Sequence, residues 1–293
     1  MSPAVLNALT GGRLGTFDVA CPSCGPERRS PANRSRKVLR IWRLEPVFAT
    51  FHCVRCGATG CSRDGQRGTD AHRRASHAVR AEIDARDRRA AAEQRRKVQW
   101  LWSQRRPADA TVVERYLREV RGVVGAIPAT IGFLPATHVH PPAMIAAFAI
   151  PDEPEPGVLA APAPDRVAGV HLTRLQPDGS GKADDPAKIM VGRSTGSPIV
   201  LAPLNDLLGL AVVEGIETGL SIGDATGLGV WAAGAASRMP ALADAVPHYV
   251  DCVTVVVEDD EAGRQHAPAL LEDLGRCGIQ AELLHVARTA DGV

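Results

Sequence analysis

The pattern of apolar and polar positions is most regular in the last third of the chain. GLAVVEG (209–215) is a short apolar run, and IETGLSIGDATG (216–227) carries apolar residues at helical spacing before a terminal glycine. GVWAAG (229–234) is apolar again, and ASRMPALADAVP (236–247) reads as helix. CVTVVVED (252–259) is the most apolar run, EAGRQHAPALLEDLGRCG (261–278) reads as helix, and QAELLHVA (280–287) as a last strand. Short buried strands alternating with helices predict an α/β unit, a parallel sheet with flanking helices on both faces. Functional groups in such sheets gather at the carboxyl ends of the strands. Glu214 ends the first strand, and Glu258, Asp259 and Asp260 end the third. Carboxylates crowded in this way repel one another unless a cation shares the crevice. Oxygen-only donors suit Mg²⁺, with Mn²⁺ as a substitute, and Mg²⁺ shares its shell with substrate phosphates.

The front of the chain has a different pattern. KVLRIWRLEPVFATFH (37–52) alternates well enough for short strands. It lies between CPSC (Cys21, Cys24) and CVRC (Cys53, Cys56), each followed by glycine. Two CxxC knuckles supply four thiolates to a closed tetrahedral zinc site, and a module this small relies on the metal for its fold. Cys61 and His52 lie close enough in sequence to replace a ligand. The ribbon also carries Arg28, Arg29, Arg34, Arg36, Lys37, Arg40 and Arg43, a basic set suited to phosphates.

Between these ends, Thr69 to about Gln104 lacks Pro and Gly and reads as one long helix, polar until Val98, Trp100, Leu101 and Trp102. ATVVERYLREVRG (110–122) is a second helix, with Thr111 as N-cap, Glu114 three residues later and Gly122 as the stop. Residues 151–165 form a proline-rich surface connector. His138 and His140 make an HxH that reads as loop rather than metal pair. A strand at about 167–175 leads through PDGSG into a second, basic strand. GSGK is not a Walker loop, because Gln176 stands where the first glycine is needed and Ala183 follows the lysine. Lys182, Lys188 and Arg193 remain as candidate phosphate or nucleotide contacts. The expected organisation is a zinc ribbon at 1–66, a helical linker at 67–125, a subdomain at 126–205 and the α/β unit at 206–293.

Composition narrows the function. Net charge is +1, from 34 basic and 33 acidic residues, yet the basic residues crowd positions 28–121 and acidic ones are prominent in the last third. A basic front and an acidic rear suit nucleic acid at one part and a metal at the other. Aromatics make up only 4% of the chain, which disfavours base stacking on exposed rings. No apolar run is long enough for a transmembrane helix, and the N-terminus lacks the pattern of a signal peptide, so a cytoplasmic protein with reduced thiols is expected.

VVEGIETGLS, followed some forty residues later by VVVEDDEAGR, resembles a Toprim domain. That is the catalytic fold of DnaG-type primases, type IA and II topoisomerases and some nucleases. With the zinc ribbon upstream, the arrangement is similar to phage- and plasmid-type bacterial primases. The resemblance implies that Glu214 is the metal ligand or general acid/base. It places the family's paired acids on Glu258 and Asp260, with Asp259 as the variable middle residue and Gly263 opening the next helix. Glu258 departs from the usual aspartate. A further acidic motif expected downstream is reduced to Asp291 at most. The implied activity is RNA primer synthesis on single-stranded DNA from ribonucleotides, in replication of a phage, plasmid or integrated element. No helicase ATPase motif is present, so a separate replicative helicase is the expected partner. Two alternatives stay open: a Toprim metal-dependent nuclease, and a non-catalytic Toprim protein that binds nucleic acid.

Overall fold

The computed structural model describes residues 1–25, 36–63, 70–184 and 186–286, without the side chains of 70–80. Arg28, Arg29, Arg34 and Asp291 lie outside the described residues. The chain divides into two compact units, Met1–Ala91 and Ala92–Val293.

The first unit contains α1 (Pro3–Thr10) and four strands, β1 (Gly15–Val19), β2 (Leu39–Glu45), β3 (Phe48–Cys53) and β4 (Thr59–Arg63). They form an antiparallel sheet in the order β1-β2-β3-β4. Alternation fixes the inner face: Leu39 and Ile41 of β2 and Ala49, Phe51 and Cys53 of β3 are buried, and they pack with Leu6, Cys21 and Cys24. α1 is pinned by Arg43, whose buried guanidinium donates to Asn7 Oδ1, to Thr10 Oγ1 at 3.1 Å and to the Pro46 carbonyl at 2.7 Å.

A long helix, α2 (Asp70–Ser103), leads into the second unit. Its last turns become apolar where they meet a core. Val98 and Trp102 are fully buried against Ile145, Ala147 and Val170, and Trp102 Nε1 donates to the Pro162 carbonyl at 2.7 Å. α3 (Val112–Arg115) starts at the Thr111 cap, whose Oγ1 accepts from Val113 N at 3.1 Å, and continues as a π turn over Tyr116–Val120. Strands β5 (Ile131–Leu134), β6 (Ala143–Phe148), β7 (Gly169–Arg174) and β8 (Lys188–Gly192) then form an antiparallel sheet in chain order. β6 is buried on both faces. Ile145 and Ala147 meet the end of α2, while Met144, Ala146 and Phe148 join the core beneath the next sheet.

That sheet consists of β9 (Ile199–Ala202), β10 (Gly209–Val213), β11 (Gly229–Ala232), β12 (Cys252–Glu258) and β13 (Ala281–Val286), in the order β13-β12-β10-β11-β9. β10 to β13 are parallel, and β9 adds an antiparallel edge to β11. α4 (Ile216–Thr226) connects β10 to β11, and α5 (Glu261–Arg276) connects β12 to β13. The segment read as a helix at 236–247 is instead two 3₁₀ pieces, Ala236–Arg238 and Pro240–Ala245. Pro240 has no amide hydrogen to continue an α-helical ladder, and the buried Met239, Leu242 and Ala243 draw the segment onto the sheet. After β10 the chain turns to one side of the sheet, and after β11 it crosses back to place β12 on the other. The strand order therefore reverses between β10 and β12, which opens a crevice at their carboxyl ends.

His171 of β7 is buried, and its Nδ1 has no hydrogen-bond partner among the described residues. Burial, aided by the positive charge of Lys188, Lys182 and Arg238 and opposed by Glu217, lowers its pKa to about 4. The unfolded chain, at about 6.5, takes up this proton first. Stability from the neutral imidazole is therefore complete above pH 6.5 and is lost as the pH falls towards 4, by about 3 kcal/mol for this group. Urea denaturation at pH 7 and pH 4.5 should show a smaller pH-dependent loss in His171→Asn than in the wild type. An equal loss in both would contradict the assignment.

Candidate metal centres

In the first unit, the two CxxC turns face each other across the ribbon. Cys21 Sγ lies 3.9 Å from Cys56 Sγ, and Cys24 Sγ lies 3.8 Å from Cys53 Sγ. All four sulfurs fall within 4.8 Å of one another. These separations are far beyond a disulfide bond. Four ligands at a zinc–sulfur distance of about 2.3 Å sit about 3.8 Å apart at the corners of a tetrahedron. Burial works against the Cys53 thiolate, but backbone N–H groups of Cys56 and Arg55 outweigh it and bring its pKa to about 7. Cys61 and His52 are exposed and lie outside the sulfur set. Among the basic candidates, Arg36 and Lys37 are exposed. Arg40 is engaged by Asp18 through two bonds of 2.7 and 2.8 Å.

In the second unit, Glu214 follows β10 and Glu258 ends β12, two strands paired in parallel with Val212 opposite Val255. Asp260 follows as the N-cap of α5, its Oδ1 accepting from Gly263 N at 2.7 Å. One oxygen from each of Glu214, Glu258 and Asp260 lies within 4.8 Å of the others. Gly263 is required by a close approach, since a Cβ there would stand 2.4 Å from the Glu258 carbonyl oxygen. Asp259 does not join the cluster. It lies in the bend after β12, where its side chain is exposed and pairs with Arg264 at 2.7 Å.

Glu214 differs from the other two in that its buried Oε2 has no hydrogen-bond partner among the described residues. Burial, then repulsion from Glu258 and Asp260, raises its pKa, with Lys188 opposing. An orphaned carboxylate oxygen beside two further carboxylates is a donor set that fits a hard divalent cation.

A second arrangement beside the cluster was not anticipated. Glu217, on the inner face of α4, is almost fully buried; its Oε1 accepts from Lys182 Nζ at 2.8 Å and from the Tyr116 hydroxyl at 2.9 Å. Burial alone would raise its pKa, yet Lys182 and Lys188 carry it down to about 2. The sequence signal was a carboxylate on the same helix face as Ile216 and Leu220, both buried. Lys182 is thereby anchored within the fold. Lys188 is exposed, and its charge acts on Glu214, Glu217 and His171. Arg238 also escaped the sequence reading. It donates to Ser194 Oγ and to Thr195 Oγ1 at 3.4 Å, and its guanidinium lies 5.6 Å from the Phe148 ring centre. Arg193 is exposed and holds the chain through its backbone, its N–H bonding the Ala168 carbonyl at 3.1 Å. His138 and His140 are exposed loop residues. Among the described residues, no helix is long and apolar enough to cross a membrane.

Residues 209–292, which hold the parallel sheet and the three acidic groups at the ends of two adjacent strands, match the family profile of a Toprim domain. Residues 92–201 match a domain of unknown function (DUF7146). Among solved structures, the chain is similar to the Aquifex aeolicus primase (zinc binding and RNA polymerase domains), at 13% identity and a TM-score of 0.44 over 95% of this chain and 74% of that one. It is similar to a DnaG primase catalytic domain bound to single-stranded DNA, at 15% identity and a TM-score of 0.44 over 71% of this chain and 76% of that one. It is also similar to a DNA primase domain from Pseudomonas aeruginosa, at 11% identity and a TM-score of 0.35 over 60% of this chain and 52% of that one. No curated protein matches the chain.

Two predictions follow from these centres. The purified protein should carry one zinc, and Cys24→Ala should lose it and expose residues 1–63 to protease; a Cys24→Ala protein that keeps the metal and resists cleavage would refute the four-sulfur site. Lys182→Met leaves Glu217 buried without its cation, which should cost about 3–5 kcal/mol in urea unfolding. Adding Glu217→Gln to Lys182→Met should recover part of the loss, whereas a Lys182→Met protein as stable as the wild type would show that the pair does not anchor the fold.

Proposed function

We propose that the chain is a primase, which joins ribonucleotides into short RNA primers on a single-stranded DNA template. The observation that carries this reading is the convergence of Glu214, Glu258 and Asp260 at the strand-order reversal of a Toprim sheet. These residues would hold Mg²⁺ or Mn²⁺, which when bound supplies charge stabilisation to the reacting phosphoryl oxygens. Glu214, whose buried Oε2 has no partner among the described residues, would serve as a ligand to that cation or as the general base for the attacking hydroxyl. Lys188 and Arg238 face the phosphates of the incoming nucleotide, and Lys182 supports them from its anchor on Glu217. Arg193 extends the basic lining at the exposed end of β8.

The N-terminal unit is a structural zinc ribbon that holds the template, with the exposed Arg36 and Lys37 contacting phosphates, Arg40 being paired with Asp18, and an affinity that falls with salt. A separate replicative helicase supplies the unwound strand, in replication of a phage, plasmid or integrated element. Substitution of glutamate for aspartate at position 258 supports the second reading, a Toprim protein that binds nucleic acid without catalysis.

Incubation with single-stranded DNA, ribonucleotides and Mg²⁺ tests the proposal. Short RNA products are expected, reduced about 100-fold or more in Glu214→Gln. Salt-sensitive DNA binding without product would replace the primase with the non-catalytic reading, and degraded DNA would replace it with the nuclease.

A further inference from the structure

Position 258 poses a geometric problem. A glutamate is one methylene longer than an aspartate and has one more torsion to fix. Its carboxylate nevertheless reaches within 4.8 Å of the Glu214 and Asp260 oxygens. Holding the longer side chain there costs rotamer freedom.

Thr218 supplies the hold. Its Oγ1 donates to Glu258 Oε1 at 3.0 Å. Thr218 stands in the first turn of α4, where the carbonyl four residues back lies outside the helix and already accepts from Gly234 N–H at 2.9 Å, and its hydroxyl turns to β12. Its β-branched side chain is restricted at χ1, which narrows the positions that its hydroxyl takes. Gly215 lies beside both groups, and a Cβ there would stand in ordinary van der Waals contact with them, 3.5 Å from Glu258 Oε1 and 3.6 Å from Thr218 Oγ1.

We infer that Thr218 is a positioning residue for Glu258, and that this hydrogen bond holds the longer glutamate carboxylate at the cluster. The inference rests on reading the three carboxylates as a divalent-cation site. An aspartate at 258 is one methylene shorter, so the bond at 3.0 Å is expected to be lost in that background. The role of Thr218 is therefore conditional on the residue at 258, which a general contribution to helix stability would not be.

The test is Mn²⁺ affinity of the full chain, measured by electron paramagnetic resonance on the wild type, Thr218→Val, Thr218→Ser, Glu258→Asp and the Thr218→Val/Glu258→Asp double variant. Thr218→Val should weaken Mn²⁺ binding about tenfold. Thr218→Ser should stay within about twofold of the wild type, and Thr218→Val should change Glu258→Asp by less than about twofold. Wild-type affinity in Thr218→Val, or the same tenfold loss in the aspartate background, would overturn the positioning role while leaving the metal site standing. A wild-type chain that binds no Mn²⁺ would remove the metal site, and the inference with it.

Discussion

Electrostatic repulsion among Glu214, Glu258 and Asp260 is the constraint around which the second unit is arranged. Two unit charges 4.8 Å apart repel by about 3 kcal/mol even at an effective dielectric near 20. No folded chain gathers three such groups at the ends of two adjacent strands by default. The parallel pairing of β10 with β12 forces the approach, and the reversal of strand order leaves a crevice rather than a packed helix above them. Burial first, and then this repulsion, raises the pKa of Glu214. A divalent cation would relieve the repulsion.

The surroundings separate the acidic groups of this region by partner. Glu217 lies only three residues from Glu214, yet it is buried, ionised and satisfied by Lys182 and Tyr116. Asp259 is turned to solvent and Arg264. Asp260 caps α5, and Glu258 is held by Thr218. The pairing of Tyr116 and Lys182 with Glu217 also ties the segment before β5 and the turn after β7 to the first turn of α4. The subdomain that bears Lys182 and Lys188 is thus fixed against the helix that follows Glu214. Catalysis by positioned charge needs such fixed supports.

Much of this arrangement could be read from the sequence because its signals were local. Runs such as CVTVVVED are too apolar and too β-branched for a surface element, and they end in acids that a buried strand would not otherwise tolerate. The CxxC pairs fixed a four-sulfur set because each turn brings two thiols together without help from the rest of the chain. What escaped depended on tertiary context. β5 and β6 lack alternation because β6 is covered on both faces, so AMIAAF carries no period. β9 is four residues long and finds its place only against β11. Residues 236–247 have a helical pattern that Pro240 interrupts. Glu217 looked like any acid in the first turn of a helix, and its partners come from 101 residues away at Tyr116 and from the β7–β8 turn. The partners of Arg238 likewise lie more than forty residues away in sequence.

The central claim is that the three carboxylates form one divalent-cation site. Crystals of the full chain grown with Mn²⁺ and measured at a wavelength where manganese scatters anomalously would test it most directly. The account predicts an anomalous peak within about 2.2 Å of oxygens from Glu214, Glu258 and Asp260, and none beside Asp259. A peak absent from the crevice at saturating Mn²⁺, or one centred on Asp259 and Glu261, would contradict it.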